Sequence, residues 1–196
     1  LNEGLKTILK IPGMLRFMIA RMFYTDGLTV IFAFAGIYSA KVFGFQQEKV
    51  IIFAIAVNIF CGIGAIFGGL IDDKFGPFST IRFSLFALLF LGSGILFAPT
   101  ELWFWIFGLL TGLFIGPVQS SSRSLVARLA PVEHRSQIFG FYMFAGKSTS
   151  FIGPAIYAWL VMFSGNERAG MLIVLMFFIF GIIILGKPKS FKHGVV

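Results

Sequence analysis

Two oppositely charged residues, Asp26 and Lys147, fall inside long apolar stretches of this chain. A lone charge at the middle of a bilayer costs about 2.5–3.5 kcal/mol on insertion scales, so each needs a partner or a water-filled cavity. Each stands some ten residues in from the near end of its stretch, which at ~1.5 Å per residue puts both ~15 Å deep. Equal depth predicts that they pair or share a cavity near the midplane. Two roles stay open for such a pair: a proton- or substrate-sensitive site, or a permanent tie between two helices.

Further polar groups extend the set. Arg21 precedes Asp26 by five residues, which places it about 140° around a helix and makes it a poor partner for that carboxylate. It either snorkels to the headgroups or binds an anionic solute. The run Gln119-Ser120-Ser121-Ser122-Arg123-Ser124 covers every face of a helical turn, so it is expected to meet a cavity or a vestibule rather than lipid. Gly146-Lys147-Ser148-Thr149-Ser150 followed by Gly153-Pro154 joins a polar patch to a residue that frees a backbone carbonyl. Interrupted helices of this kind build transport sites, although Pro154 is equally readable as a passive kink. The candidate solute or proton site is therefore Asp26, Lys147, Gln119, Arg123, Arg21 and Ser150.

The elements that would hold these residues follow from composition. The chain has 196 residues, 58% hydrophobic and 12% charged, with a mean hydropathy of +0.94. Soluble domains run to about 25% charged residues, so too few charges are present to coat a water-facing core. Runs long enough to span a bilayer predict six helices at about 16–39, 49–71, 79–98, 102–124, 136–162 and 168–186. Turn residues separate them: Gly44, Gly76-Pro77, Pro99, Pro131 and Gly165-Asn166. The expected fold is an all-α polytopic membrane protein, with a lead-in over 1–15, a six-helix body over 16–186 and a basic tail over 187–196.

The formal charge of +8 is topological rather than a nucleic-acid signature, because the basic residues sit in short loops and not on one soluble face. Lys6, Lys10, Arg16, Lys74, Arg82, Arg123, Arg128, Arg135, Lys187, Lys189 and Lys192 fall on one side. Lys41, Lys49 and Arg168 fall on the other. The positive-inside rule then predicts both termini in the cytoplasm. A lone cysteine, Cys61, offers neither an internal disulfide nor a multi-cysteine metal site. No cofactor or metal motif is present, and His134 and His193 lie in a loop and a tail.

Polarity is uneven in a way that repeats every three helices. The third and sixth are the most apolar and are expected to face lipid, whereas the first, fourth and fifth carry the polar residues above. A three-plus-three inverted repeat of a secondary transporter leaves this trace, although any bundle has some helices more exposed than others. Gly108, Gly112 and Gly116 on the fourth helix and Gly64 and Gly68 on the second form small-residue stripes, which let backbones approach.

Two stretches carry a family resemblance. Gly69-Leu70-Ile71-Asp72-Asp73-Lys74-Phe75-Gly76 resembles the signature loop of the major facilitator superfamily. The resemblance implies a cytoplasmic gating latch at Gly69, Asp73, Lys74 and Gly76, with the aspartate capping a neighbouring helix. Pro77 and Phe78 depart from the pattern, which usually has basic residues there. The longer match runs from Gly116-Pro117-Val118-Gln119 through Arg123, Ala127-Arg128-Leu129-Ala130-Pro131 and Phe139-Gly140 to Gly146-Lys147-Ser148-Thr149-Ser150-Phe151-Ile152-Gly153-Pro154. With Tyr24-Thr25-Asp26-Gly27, this is similar to the vacuolar amino-acid effluxer family linked to autophagy in fungi, which has many bacterial relatives.

The resemblance implies that these are helices 7 to 12 of a twelve-helix carrier, with a six-helix half of the same polypeptide missing upstream. The first residue, Leu1, is likewise read as the start of a fragment. The leading expectation is secondary active transport of a small solute, an amino acid or similar metabolite, by efflux. The alternative is a self-contained six-helix channel or scaffold. An enzyme is the weakest reading, since no nucleophile with a matched base is spaced for catalysis.

Overall fold

Residues 8–186 are described by a computed structural model. The expected tail 187–196, with Lys187, Lys189, Lys192 and His193, lies outside them, as do residues 1–7 of the lead-in, Lys6 among them. Beyond the lead-in, the described residues form seven helices in order: α1 (Met14–Phe43), α2 (Gln47–Phe75), α3 (Pro77–Phe97), α4 (Glu101–Leu129), α5 (Arg135–Ser148), α6 (Ile152–Ser164) and α7 (Glu167–Leu185). A short 3-10 turn, Val132–His134, leads into α5. Five of them, α1 to α4 and α7, are long and apolar enough to cross a membrane. The chain is an all-α polytopic membrane protein.

The fifth predicted crossing differs from expectation. It is split into α5 and α6, of 14 and 13 residues, around a three-residue break at Thr149, Ser150 and Phe151. Each is too short to span alone. Pro154 has no amide proton for the Ser150 carbonyl, and the backbone instead closes tighter turns, Ser150 N to Lys147 O at 3.3 Å and Ile152 N to Thr149 O at 2.8 Å. The second difference is at the expected gating loop: α2 continues through Phe75, so Gly69, Asp73 and Lys74 are helical. Gly76 alone makes the turn, at φ +81°.

Helix pairing has an internal order. α1 packs along α7 as α4 packs along α3, α1 meets α5 and α6 as α4 meets α2, and α3 meets α7. The pattern is unchanged when the first three crossings are exchanged with the last three. Short loops make successive crossings antiparallel, so the two triplets run in opposite senses, the relation of an inverted repeat.

The largest exposed apolar face belongs to α2, with Ile52, Ile55, Ile59, Ile66, Phe67 and Leu70 all more than half exposed. The sequence had pointed to the third and sixth crossings instead. Mean polarity ranks helices, but exposure follows partners, and α2 has one extensive partner, α4. Away from the chain's start, the bundle is tied by Phe45, Phe53 and Phe104, with ring centroids 4.8–6.4 Å apart. The Lys49–Glu101 and Lys41–Glu167 ion pairs add to that end.

Candidate functional site

Three helices meet around a polar cavity of about 400 Å³. α1 contributes Arg21, Tyr24, Thr25, Leu28, Thr29 and Phe32, spaced three, one, three, one and three residues apart and so on one face of the helix. α4 contributes Gln119, Ser122 and Arg123 at helical i, i+3, i+4 spacing, and α5 contributes Tyr142 and Met143. The helices named from polarity as the wet ones, the first, fourth and fifth, are the ones that enclose it.

Arg21 does not reach for the headgroups. Its Nη1 donates to the Tyr142 carbonyl at 2.5 Å, and its guanidinium carbon lies 3.6 Å from the centre of the Tyr142 ring. A cation over an aromatic face is worth about 0.5–2 kcal/mol. Gly146, one turn on from Tyr142, makes room for that seat, since a Cβ there would run into the guanidinium. In the wall of the cavity, the Tyr24 hydroxyl and Ser122 Oγ are 2.7 Å apart, and Ser122 Oγ donates to the Val118 carbonyl at 2.5 Å. Both side chains are buried, so this bond joins α1 to α4 without water. Arg123 is exposed to the cavity and bonds only locally, Nε to the Gln119 carbonyl at 3.3 Å.

The expected Asp26–Lys147 pair is not formed. Asp26 is 2% exposed, and its Oδ1 accepts from Thr149 Oγ1 at 3.2 Å. The helix break carries Thr149 onto α1, so a neutral hydroxyl reaches the carboxylate first. Lys147 belongs to the last turn of α5, about 100° around from Gly146, which faces α1. Its side chain is exposed on the same side as Met143. Ser150 is turned back on its own chain, Oγ to the Lys147 carbonyl at 2.9 Å. Of the six site residues read from sequence, the cavity gathers Arg21, Gln119 and Arg123. Asp26, Lys147 and Ser150 cluster instead around the break in the fifth crossing.

At the end of α2, Asp73 Oδ1 lies 3.5 Å from Arg128 Nη2 of α4, with the Asp73 side chain 80% exposed. Asp72 beside it is 4% exposed and keeps Oδ1 without a hydrogen-bond partner among the described residues. Sequence reasoning passed over Asp72, because the signature pattern assigns its aspartate to the next position. The period of α2 was the available signal: Gly64, Gly68 and Asp72 share the face turned to α4. The sequence also left Tyr142 and Ser122 without individual roles.

Broken and continuous helices around a shared cavity define the class: an all-α multi-pass membrane protein. The chain belongs to the family described as "Vacuole effluxer Atg22 like", which matches residues 1–189. It is 26% identical to an uncharacterized MFS-type transporter, YxiO, of Bacillus subtilis, over 94% of this chain and 43% of that protein. It is also 26% identical to autophagy-related protein 22 of Cryptococcus neoformans, over 93% of this chain and 35% of that protein. The chain thus spans less than half the length of these relatives.

Proposed function

We propose that this chain supplies six crossings of a secondary active carrier that moves a small solute, an amino acid or similar metabolite, out of its compartment by alternating access. A further six-helix part of the same polypeptide closes the cavity from the other side, and both termini are cytoplasmic. The observation that carries this reading is the convergence of Arg21, Gln119 and Arg123 on one cavity between α1, α4 and α5. Asp26, with Thr149 at the break, acts as the coupling group. Proton gain by its carboxylate loosens the tie between α1 and the α5–α6 junction, and Lys147 and Ser150 shape that junction. Asp73 with Arg128, next to Lys74 and between Gly69 and Gly76, forms a latch between α2 and α4 at the cytoplasmic end.

The test is counterflow in proteoliposomes carrying the full-length protein, with a panel of labelled amino acids and their keto acids. Wild type exchanges at least one of them, and Asp26→Asn and Arg123→Gln each slow that exchange about ten-fold. Unchanged exchange in both variants removes the site assignment. Absence of exchange by wild type across the panel removes the transport reading for these solutes.

A further inference from the structure

The lining of the polar cavity is unbalanced in charge. Arg21 and Arg123 point into it, no acidic residue lines it, and neither guanidinium is ion-paired with a carboxylate among the described residues. Lys147 stands one turn beyond the lining residue Met143 on the same side of α5, so a further positive charge lies on that side of the helix. Each guanidinium has five N–H donors. The described bonds use one of Arg21, to the Tyr142 carbonyl, and one of Arg123, to the Gln119 carbonyl. The sole nearby buried acid, Asp26, is turned away to Thr149.

The cavity is also graded along α1. The guanidiniums lie at one end and Leu28 and Phe32 at the other, and Arg21 to Phe32 spans about 16 Å of helix. Tyr24 and Ser122 are spent on each other between these ends.

We propose that the solute taken by this cavity carries net negative charge, with an oxyanion head between Arg21 and Arg123 and an uncharged body toward Leu28 and Phe32. Among the described residues the cavity offers donors to a carboxylate or phosphate and no acceptor charge for an ammonium group, so a neutral zwitterion of the same skeleton is expected to be a poorer ligand. Arg21 is held in place by Tyr142 and Gly146. Arg123, with one weak local bond, is free to close on the head. This inference names the solute class for the carrier reading above and rests on it only for flux, since binding is measured separately.

The probes are a matched set on one carbon skeleton: 4-methyl-2-oxopentanoate (anion), L-leucine (zwitterion), L-leucinamide (cation) and isopentyl phosphate (anion with a phosphate head). The full-length protein is assayed in detergent by ligand-dependent thermal shift and in proteoliposomes by counterflow. At least one anion is expected to bind ten-fold or more tighter than leucine, with leucinamide inert, and the stronger of the two identifies the head. Arg123→Gln abolishes the difference and Arg123→Lys keeps part of it. Arg123 is exposed and makes no tertiary bond among the described residues, so both variants are expected to fold, and their unliganded melting temperatures check this.

Leucine binding as well as either anion, or anion binding unaffected by Arg123→Gln, overturns the proposal, as does failure of both anions to shift melting. Anion binding without flux leaves it standing and sinks the carrier reading for these solutes. Flux of leucine in preference to the anions does the reverse.

Discussion

The inverted repeat places two helix pairs in equivalent positions, α2 on α4 and the α5–α6 pair on α1, and they are built from opposite materials. The α2–α4 seam is made by close approach of backbone. A Cβ at Gly64 would run into the Leu113 carbonyl, one at Gly116 into the Cys61 carbonyl, and one at Gly68 would lie 2.7–2.9 Å from Pro117. Pro117 has no amide proton for the Leu113 carbonyl, and that unclaimed oxygen is what Gly64 packs against. In lipid, where apolar burial gives little drive to association, close packing of small residues is a main source of helix pairing. The α1–α5/α6 seam keeps two glycines facing α1, Gly146 and Gly153, but spends them on seating Arg21 and on bringing the break close to Asp26 and Val30. One seam holds the bundle; its counterpart holds polar groups in place on a helix that is already interrupted.

Variants that exchange the properties of the two seams separate them. The largest effect is expected from Gly116→Val. Its Cβ meets main-chain atoms, which cannot rotate away, so the cost is expected to reach or exceed the upper end of the ~1–3 kcal/mol of ordinary overpacking. The melting temperature of the full-length protein in detergent should collapse, with loss of monodisperse material. A wild-type melt would mean that the seam is not a rigid contact.

Gly146→Ala should divide the other way. Its methyl meets a guanidinium at the end of a flexible side chain, so stability falls by only about 1 kcal/mol while Arg21 leaves its seat. Counterflow of the best solute then drops about ten-fold, with the loss mainly in apparent affinity. A melt as damaged as that of Gly116→Val would show the two seams to be mechanically alike.

Asp26→Asn and Thr149→Val act on the same tie from its two ends. Asn keeps the shape and an acceptor for Thr149 Oγ1, so its melt should move by less than about 1 kcal/mol. Thr149→Val removes the donor and leaves the carboxylate buried, which costs about 1–3 kcal/mol. Dependence of exchange on an imposed pH gradient, present in wild type and in Thr149→Val but lost in Asp26→Asn, would assign coupling to the carboxylate itself. Loss in both would assign it to the bond.

The sequence reading reached five of the six expected crossings as continuous helices, their turns and the glycine seam, because these depend on run length, on φ-permissive residues and on i, i+4 spacing, all local properties. Gly44 and Gly165 take positive φ where turns were expected, and Gly64, Gly68, Gly112 and Gly116 lie at the helix contact. It identified the wet helices but misassigned the partner of Asp26. Equal depth holds for an unbroken fifth helix, whereas the break rotates Thr149 into the place expected for Lys147. Equal depth is one coordinate of three; azimuth depends on where a helix stops, and Pro154 alone does not state whether the chain kinks or breaks. Asp72 and Tyr142 were missed for a related reason. A buried carboxylate beside an exposed one, or a tyrosine whose carbonyl and ring both hold an arginine, is a property of the assembled pair of helices.

The smallest predicted effect lies near the other end of the α1–α6 contact, where the comparison can be sharpened by an ion pair that reaches from α1 to α6 and α7. Glu167 is 8% exposed and is bound twice, by Lys41 Nζ at 2.7 Å and by the Tyr157 hydroxyl at 2.6 Å, joining the end of α1 to α6 and α7. The Lys41 side chain is 62% exposed, so water screens that half of the contact and most of its attraction is lost to solvation. The buried tyrosine bond is the stronger half, and Phe34 stacked on Tyr157 at 4.0 Å holds its ring whatever the charge opposite. Glu167→Gln keeps an acceptor for Tyr157 and gives up only the screened charge. Its melt should therefore shift by no more than about 0.5–1 kcal/mol, and Lys41→Gln by less. Raising salt should shrink the Lys41→Gln difference further and leave the Gly116→Val defect untouched, because a steric clash between backbones has no ionic component.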